Sequence, residues 1–307
     1  MSDNQVGSIW LSERMNNNAV PLIIDGGMGT ELEKSGVPMS GAVWSGLAVL
    51  ADPDAVRSVH ETFIKAGAEV IIANTFAAGR HMLEPNGEGA HVENINRDAV
   101  RLALEARENV ANGPVAVAGS ICEWTTVRDS KWVKPECLAE SAREQATILA
   151  EEGVDLIALE MCQNAEHSSV CIEAALETGL PVWVGMSAQH FKDKETLSVF
   201  DEIELEFERL VKGVAHYPVQ AMNIMHTPTT DVVEALNIIR KYWQGPVGAY
   251  PESGYFTMPN WQFIDVIEPE VLAEQAKEWV SLGVSMLGGC CGLGPDHVKA
   301  LREAFPR

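Results

Sequence analysis

The chain alternates short apolar runs with longer stretches in which apolar residues recur every three or four positions. The short runs are rich in Val and Ile, as strands are, and the longer stretches have the spacing of amphipathic helices. This alternation predicts βαβ units and a parallel sheet. The eight predicted strands are Leu22–Ile24, Val70–Ala73, Val115–Ala118, Leu156–Leu159, Val182–Met186, Val219–Ile224, Val247–Tyr250 and Val284–Leu287.

Helical patterns fill most of the intervals between these runs. The clearest are Asp54–Ala66, Val92–Val110, Glu136–Glu152, Ala165–Thr178, Asp231–Trp243 and Glu270–Leu282. Several end in a glycine followed by the next strand, as at Gly153, which is the usual way for a helix to stop. Eight strands in 307 residues, with no shift in composition, predict a single (β/α)8 TIM barrel in the α/β class spanning residues 1–307.

Composition and charge narrow the possible partners. The chain is 46% hydrophobic, enough for a sizeable core, and its 44 acidic against 22 basic residues give a net charge of −22. Such a surface repels nucleic acid and anionic membranes, so we expect neither as a partner. The polar segment Met1–Val20 lacks an apolar signal region, and the six cysteines lack the dense spacing of a secreted scaffold. Together these features predict a cytoplasmic location and reduced thiols.

Polar residues follow every predicted strand, which matters because TIM-barrel active sites lie at the C-terminal ends of the strands. These residues are Asp25, Asn74, Thr75, Ser120, Glu160, Ser187, Asn223, His226, Tyr250, Cys290 and Cys291. Two carboxylates and two thiols among them predict an active site at this end. The longest connections, Gly26–Pro53 and Pro251–Pro269, leave from the same end, so we expect them to cover a pocket.

The segment Gly288-Gly289-Cys290-Cys291-Gly292 is the strongest chemical signal in the chain. Neighbouring strand side chains point to opposite faces, so adjacent thiols converge on one ion only where the strand breaks into a turn, which glycines permit. Thiolates favour soft or borderline metals, and zinc is the usual one. Two other interpretations are a strained vicinal disulfide and a phosphate-binding glycine loop with the cysteines as packing residues.

Several motifs, spread over nearly the whole chain, resemble the homocysteine S-methyltransferases, the family of betaine- and S-methylmethionine-dependent enzymes. They are Asp25-Gly26-Gly27-Met28-Gly29-Thr30, Asn74-Thr75-Phe76, Glu160, Tyr250-Pro251-Glu252-Ser253-Gly254, and Gly288-Gly289-Cys290-Cys291-Gly292 followed by Pro295-Asp296-His297. The resemblance implies methyl transfer from an onium donor, of the S-methylmethionine or betaine type, to homocysteine. The product would be methionine, and the attacking group a zinc-bound thiolate.

The resemblance also assigns roles to individual residues. Cys290 and Cys291 would be the catalytic residues that bind Zn²⁺, and Glu160 would pair with the substrate ammonium. Asp25 would hold the amino-acid end near the Gly26-Gly27 backbone. Thr75, Asn223 and Tyr250 complete the expected substrate-binding residues.

The chain departs from the family at the third zinc ligand, usually a cysteine after an asparagine in strand six. Aligning Asn223 with that asparagine places Ile224, which cannot bind a metal, at the ligand position. His226 could replace the missing thiolate, and is favoured because it lies beside the vacated position, or Cys162 could swing in from strand four. A third possibility is a divergent barrel that has lost its zinc and uses another acceptor or only binds a metabolite. With a neutral imidazole as third ligand, we expect a less reactive substrate sulfur, and therefore weaker activity or a different acceptor from ordinary family members.

Aromatic residues near the predicted site fit a cationic donor, because ring faces attract onium methyl groups by about 0.5–2 kcal/mol per contact. The candidates in or beside the active-face loops are Trp44, Phe76, Trp124, Tyr250, Tyr255 and Trp261.

Overall fold

The computed structural model describes residues 3–16, 20–41, 43–125, 130–257 and 259–307, with side chains omitted for 3–8 and 16. Eight parallel strands form one sheet: β1 (Leu22–Ile23), β2 (Val70–Ile72), β3 (Ala116–Cys122), β4 (Leu156–Cys162), β5 (Val182–Met186), β6 (Ala221–Pro228), β7 (Val247–Glu252) and β8 (Met286–Leu287). A helix follows each strand: α1 (Pro53–Ala66), α2 (Val92–Val110), α3 (Pro135–Glu152), α4 (Ala165–Leu176), α5 (Phe207–Val214), α6 (Val232–Tyr242), α7 (Pro269–Ser281) and α8 (Pro295–Ala304).

The sheet closes on itself. Its order is β1-β8-β7-β6-β5-β4-β3-β2, and a parallel bridge between Ile24 and Val70 joins the two outer strands. Two backbone hydrogen bonds reinforce this junction, from Asp25 N to Val70 O (2.9 Å) and from Glu69 N to Ile23 O (2.7 Å). The predicted (β/α)8 TIM barrel is therefore confirmed.

Two apolar layers explain why the strands read as continuous apolar runs. Successive side chains alternate between the barrel interior and the layer beneath the helices, and both places are dry. Leu22 and Ile24 point into the interior cluster, together with Trp183 and Met286. Ile23, between the first two, belongs to the layer under the helices. Burial on both faces removes the polar alternation of a half-exposed strand.

The N-terminal segment, which the sequence analysis describes only as polar, contains a helix. The helix is Asp3–Asn16, and its Leu11 and Met15 are buried in the same interior cluster as Leu22 and Trp183. Because so few apolar residues of this helix are buried, its mostly polar sequence does not show a helical pattern. The helices in the described part of the chain are too short or too polar to cross a membrane.

Loop structures after four of the strands lie over the C-terminal end of the barrel. The loop after β1 carries the short helices Met28–Lys34 and Ala48–Ala51, and another short helix, Arg80–Leu83, follows β2. After β5 comes an antiparallel sheet of Ala188–Gln189, Ser198–Val199 and Glu202–Glu206, and after β7 a hairpin of Tyr255–Thr257 and Asn260–Gln262. The antiparallel sheet after β5, called the excursion after β5 below, was not predicted. Its strands are too short to show a clear hydrophobic period.

Candidate active site

A cavity opens at the C-terminal end of the barrel, with about 1120 Å³ of empty space counted out to its mouth. Cys290, Cys291 and His226 line it together with Glu160 and Tyr250. The long loops after β1 and β7 contribute walls, as predicted, and so does the excursion after β5. Their lining residues include Met28, Gly29, Trp44, Ser45, Phe200, Asp201, Phe256 and Trp261.

Strand β8 breaks into a turn at the cysteine pair. Cys290 N donates to Pro251 O (2.7 Å) and Ser253 N donates to Cys291 O (3.0 Å), so the turn is bound to the end of β7. Gly292 has a φ of 82°, and a Cβ there would lie 1.8 Å from Ser253 O. Only glycine fits this position. Gly292 therefore permits the turn that follows the cysteine pair.

His226 completes a three-residue cluster with the two cysteines. Its Nδ1 lies 3.4 Å from Cys290 Sγ, and the two sulfurs, both free thiols, are 3.9 Å apart. All three ligand atoms lie within 4.8 Å of one another. Tetrahedral zinc has bonds of about 2.3 Å to sulfur and 2.0–2.1 Å to nitrogen. These bonds place a ligand nitrogen about 3.5 Å from a ligand sulfur and two ligand sulfurs about 3.8 Å apart. The donor set and its spacing therefore fit zinc.

On β6, the ligand atom that lies beside the two thiols comes from His226 and not from Ile224. Ile224 is fully buried in the layer between the sheet and the helices and does not face the thiols. Strand alternation would place His226 on that same outer face, but its φ of 43° breaks the alternation. Cys162 also lies in the outer layer, and the metal-ligand cluster found among the described residues does not include it.

Aromatic rings fix the orientation of His226. The Phe200 ring meets the imidazole edge-on with centroids 4.6 Å apart, and Trp261 does so at 5.9 Å. A left-handed backbone is costly for a residue other than glycine and persists only where the surroundings hold it. The packing of these rings supplies that restraint.

The cluster is polarised before any ligand binds. The hydrogen bond with Cys291 and the nearby His226 ring hold the pKa of Cys290 well below its usual range, although burial opposes this. The adjacent Cys290 sulfur and burial raise the pKa of the Cys291 thiol. Burial opposes protonation of His226, but the charge of Cys290 outweighs it and raises the pKa of the imidazole. Cys290 is therefore the more readily ionised of the two thiols.

Three carboxyl groups are buried around the cluster. Glu160 accepts a hydrogen bond from Ser120 Oγ (2.5 Å), and burial, with the charge of Cys290, raises its pKa to about 7. Asp25 accepts from Ile72 N (2.8 Å), and burial raises its pKa well above the usual range. Burial raises the pKa of Glu252 to about 7. Glu252 appeared in a sequence motif but had been given no role.

The other predicted substrate-binding residues divide into two groups. Tyr250, Gly26 and Gly27 line the cavity. Thr75 and Asn223 are fully buried and absent from the described cavity walls. The Thr75 hydroxyl donates to Ser120 O (2.8 Å) and so fixes the end of β2 against β3. Their role in substrate binding stays a prediction.

Comparison with known proteins agrees with this geometry. Residues 22–305 match the family described as homocysteine S-methyltransferase. The chain belongs to that family. It is 27% identical to selenocysteine Se-methyltransferase of Brassica oleracea var. italica, over 92% of this chain and 88% of the relative. It is 28% identical to S-methylmethionine–homocysteine S-methyltransferase BHMT2 of Rattus norvegicus, over 95% and 80%.

Among solved structures, the metallated form of the homocysteine methyltransferase MmuM from Escherichia coli has the same fold. The TM-score is 0.73 at 24% identity, and the match covers 92% of this chain and 96% of that one. Membership of the homocysteine S-methyltransferase family makes the chain a methyltransferase and confirms the resemblance found in its motifs.

The homocysteine S-methyltransferase cavity of this chain is rich in aromatic and thioether groups. Five of the six aromatic candidates line it, namely Trp44, Phe76, Trp124, Tyr250 and Trp261. Tyr255 is 50% exposed and is not among the described walls. Phe200 and Phe256 were missed, as were Met28, Met161 and Met225, because a single aromatic or methionine residue carries no periodic signal that would assign it to a cavity wall.

Strained backbone conformations concentrate at this cavity. Of the five residues other than glycine with positive φ in the described chain, four line it: Trp44, Met161, Asp201 and His226. Such conformations cost of order 1–3 kcal/mol each and cluster at functional sites. Their positions support this cavity as the active site independently of the cysteines.

Proposed function

We propose that this chain transfers a methyl group from an onium donor to the sulfur of homocysteine, giving methionine and a demethylated donor. The observation that carries the proposal is the cluster of Cys290, Cys291 and His226 in an aromatic-lined cavity. These three residues would hold Zn²⁺. Bound zinc would stabilise the thiolate form of homocysteine, whose free thiol is mostly protonated at neutral pH because its pKa is about 8.5.

Glu160 would bind the substrate ammonium. Its carboxylate lies in the cavity wall and is held by Ser120 Oγ at 2.5 Å. The pKa of about 7 applies without substrate; a neighbouring cation favours the ionised form, so binding of an ammonium would lower that pKa. The charge-assisted hydrogen bond would orient the amino acid with its sulfur towards the cysteines.

The chain's own residues would align the methyl transfer. A new bond forms between the homocysteine sulfur and the methyl carbon while the bond from that carbon to the onium atom breaks, and its electron pair leaves with the donor. No proton moves at the methyl carbon, so positioning is the main task. Ring faces such as Trp44 and Trp261 would attract the onium methyl groups and exclude water.

The charges of the cavity favour a donor with net positive charge. Its described walls include the carboxyl groups of Glu160 and Asp201 and contain neither Lys nor Arg. S-methylmethionine carries two positive charges and one negative charge, whereas betaine is neutral overall. We therefore propose S-methylmethionine as the donor in preference to betaine, in keeping with the name of the rat relative. The same absence of basic residues disfavours phosphate binding.

The test combines metal content with methyl transfer in two matched variants. We expect one zinc per wild-type chain and methionine formation from homocysteine and S-methylmethionine, with betaine a poorer donor. His226→Ala should lose zinc and most activity, whereas Cys162→Ala, a buried residue of the outer layer, should keep both. Zinc-free wild-type protein, or a His226→Ala variant with unchanged zinc and rate, would contradict the proposal. Cysteine and selenocysteine, assayed in parallel, test the acceptor.

A further inference from the structure

Glu252, at the end of β7, is a buried carboxyl group without an evident structural purpose. The residue is 6% exposed, and its Oε2 has no hydrogen-bond partner in the described structure. Burying a polar atom without a partner lowers the free energy of unfolding, so native proteins rarely keep one without a function. Within the described part of the chain, Oε2 of Glu252 therefore makes no hydrogen bond that would stabilise the fold.

Its neighbours connect Glu252 to both parts of the cysteine and histidine cluster. Pro251, before it, accepts a hydrogen bond from Cys290 N, and Ser253, after it, donates to Cys291 O. On its other side Glu252 pairs in the sheet with Pro228, two residues beyond His226. The carboxyl group is thus attached to a short segment fixed between the cysteine turn and the end of β6.

The electrostatic coupling agrees with this placement. Burial raises the pKa of Glu252, and the His226 imidazolium partly opposes the rise. Charges in a dry region interact over several ångströms without a direct hydrogen bond.

We propose that Glu252 is a positioning residue for the metal centre, supplying the negative charge that a neutral His226 does not provide. Two thiolates and an imidazole leave the centre one negative charge short of a three-thiolate site. A nearby carboxylate restores that charge outside the coordination shell, where it favours the imidazole orientation and retention of a divalent cation. The inference rests on the proposed zinc-dependent function and extends it to a residue that binds neither metal nor substrate.

This role predicts opposite effects on the metal-free and metal-bound protein. Replacing the carboxylate by an uncharged amide removes a buried charge, so metal-free Glu252→Gln should unfold at the same temperature as the wild type or higher. The same change should weaken zinc binding by about ten-fold or more, the usual effect of losing a partner behind a metal ligand. A merely structural glutamate would instead lower the metal-free unfolding temperature.

The experiment measures the zinc dissociation constant by chelator competition and the metal-free unfolding temperature, both at pH 8. Glu123→Gln is the matched control, because Glu123 is also buried and its pKa is also raised to about 7. Unlike Glu252, Glu123 accepts hydrogen bonds from residues at the start of α4. It is not among the described cavity walls. Glu252→Asp, which keeps the charge, should hold zinc within about three-fold of the wild type, since it retains the carboxylate behind the ligand.

Unchanged zinc affinity in Glu252→Gln, or an equal loss in Glu123→Gln, would overturn the role of Glu252 and leave the zinc site itself intact. Absence of zinc from the wild type would overturn both this inference and the proposed function. If Glu252→Gln does not fold, Glu252→Ala replaces it, with the same two outcomes.

Discussion

The two ends of this barrel treat buried carboxylates in opposite ways. At the N-terminal end, Glu69 is 2% exposed and forms ion pairs with Arg14 (2.9 Å), Arg302 and Arg307. Ile23 N also donates to it (3.1 Å). Burial opposes ionisation of Glu69, but the hydrogen bonds from Arg14 and Arg302 outweigh it and lower its pKa. The Glu69 carboxylate is therefore paired within the folded chain and contributes to its stability.

At the C-terminal end, Asp25, Glu160 and Glu252 are buried without an ion pair to Lys or Arg in the described part of the chain. Burial raises the pKa of each. Leaving these groups without a basic partner costs stability. Glu160, which lines the cavity, stays available to a cationic partner. The paired carboxylate thus stabilises one end of the barrel, while the unpaired ones lie at the C-terminal end, where TIM barrels carry their active sites.

The largest effect should come from removing a thiol at the C-terminal end. Cys290→Ser should lower methyl transfer at least about 100-fold and abolish stoichiometric zinc, because a hydroxyl is a much poorer zinc ligand than a thiolate. Metal analysis and initial rates measure both. Cys137→Ser, a partly buried cysteine of α3, is the control and should retain both properties. Wild-type rates in Cys290→Ser would show that the cysteine pair at the C-terminal end of the barrel is not needed for methyl transfer.

Removing the paired carboxylate at the N-terminal end should instead affect stability. Glu69→Gln leaves Arg14 and Arg302 without their buried partner and should lower the free energy of unfolding by about 3 kcal/mol, with kcat unchanged at 25 °C. Denaturant unfolding and steady-state kinetics measure the two. Glu105→Gln, at an exposed pair with Arg57 of 3.7 Å, should leave the free energy of unfolding almost unchanged, because water screens such pairs. A fall in kcat with unchanged stability would reverse the assignment of the two ends.

The pH dependence of stability should have opposite signs for the two kinds of carboxylate. Glu123, at the end of β3, has a pKa raised by burial to about 7 from 4.5, so the folded state binds the extra proton. The contribution of Glu123 to the free energy of unfolding is greatest below pH 4.5 and is lost as the pH rises through 7. For Glu69, whose pKa is lowered, stability is lost as the pH falls below 4.5.

Unfolding of metal-free protein between pH 5 and pH 8 tests this sign for Glu123. The loss of stability with rising pH should be less steep in Glu123→Gln than in the wild type, since the amide does not titrate. Gln can still accept the hydrogen bonds from Gln163 N and Asn164 N, which keeps the start of α4 in place. An identical slope in the two proteins would show that Glu123 does not titrate in this range.

The smallest effect should come from the exposed acid at the cavity mouth. Asp201 lines the cavity, and Asp201→Asn should raise the KM for a cationic donor about three-fold with little change in kcat, as expected for an exposed charge worth up to about 1 kcal/mol. Donor kinetics at low and high salt measure it. The difference from wild type should shrink as salt rises. A salt-independent difference would point to a direct steric contact instead.

Much of the fold was predictable because its signals are local. Short Val- and Ile-rich runs separated by helical periods define eight strands whichever way they later pack, although β3 and β6 continue further than predicted into their polar ends. The N-terminal helix was missed because two buried residues, Leu11 and Met15, create no pattern until the barrel interior is present. The excursion that delivers Phe200 and Asp201 was missed for the same reason.

The amino-acid sequence by itself determined the barrel, the end that carries the site and the vicinal cysteines, because alternation and glycine turns depend on neighbouring residues. Only the tertiary structure decided that His226 rather than Ile224 or Cys162 joins those cysteines. That choice depends on a left-handed backbone at His226 and on rings arriving from distant loops. Convergence of separate strands on one point is a property of the closed sheet, and spacing along the chain does not contain it.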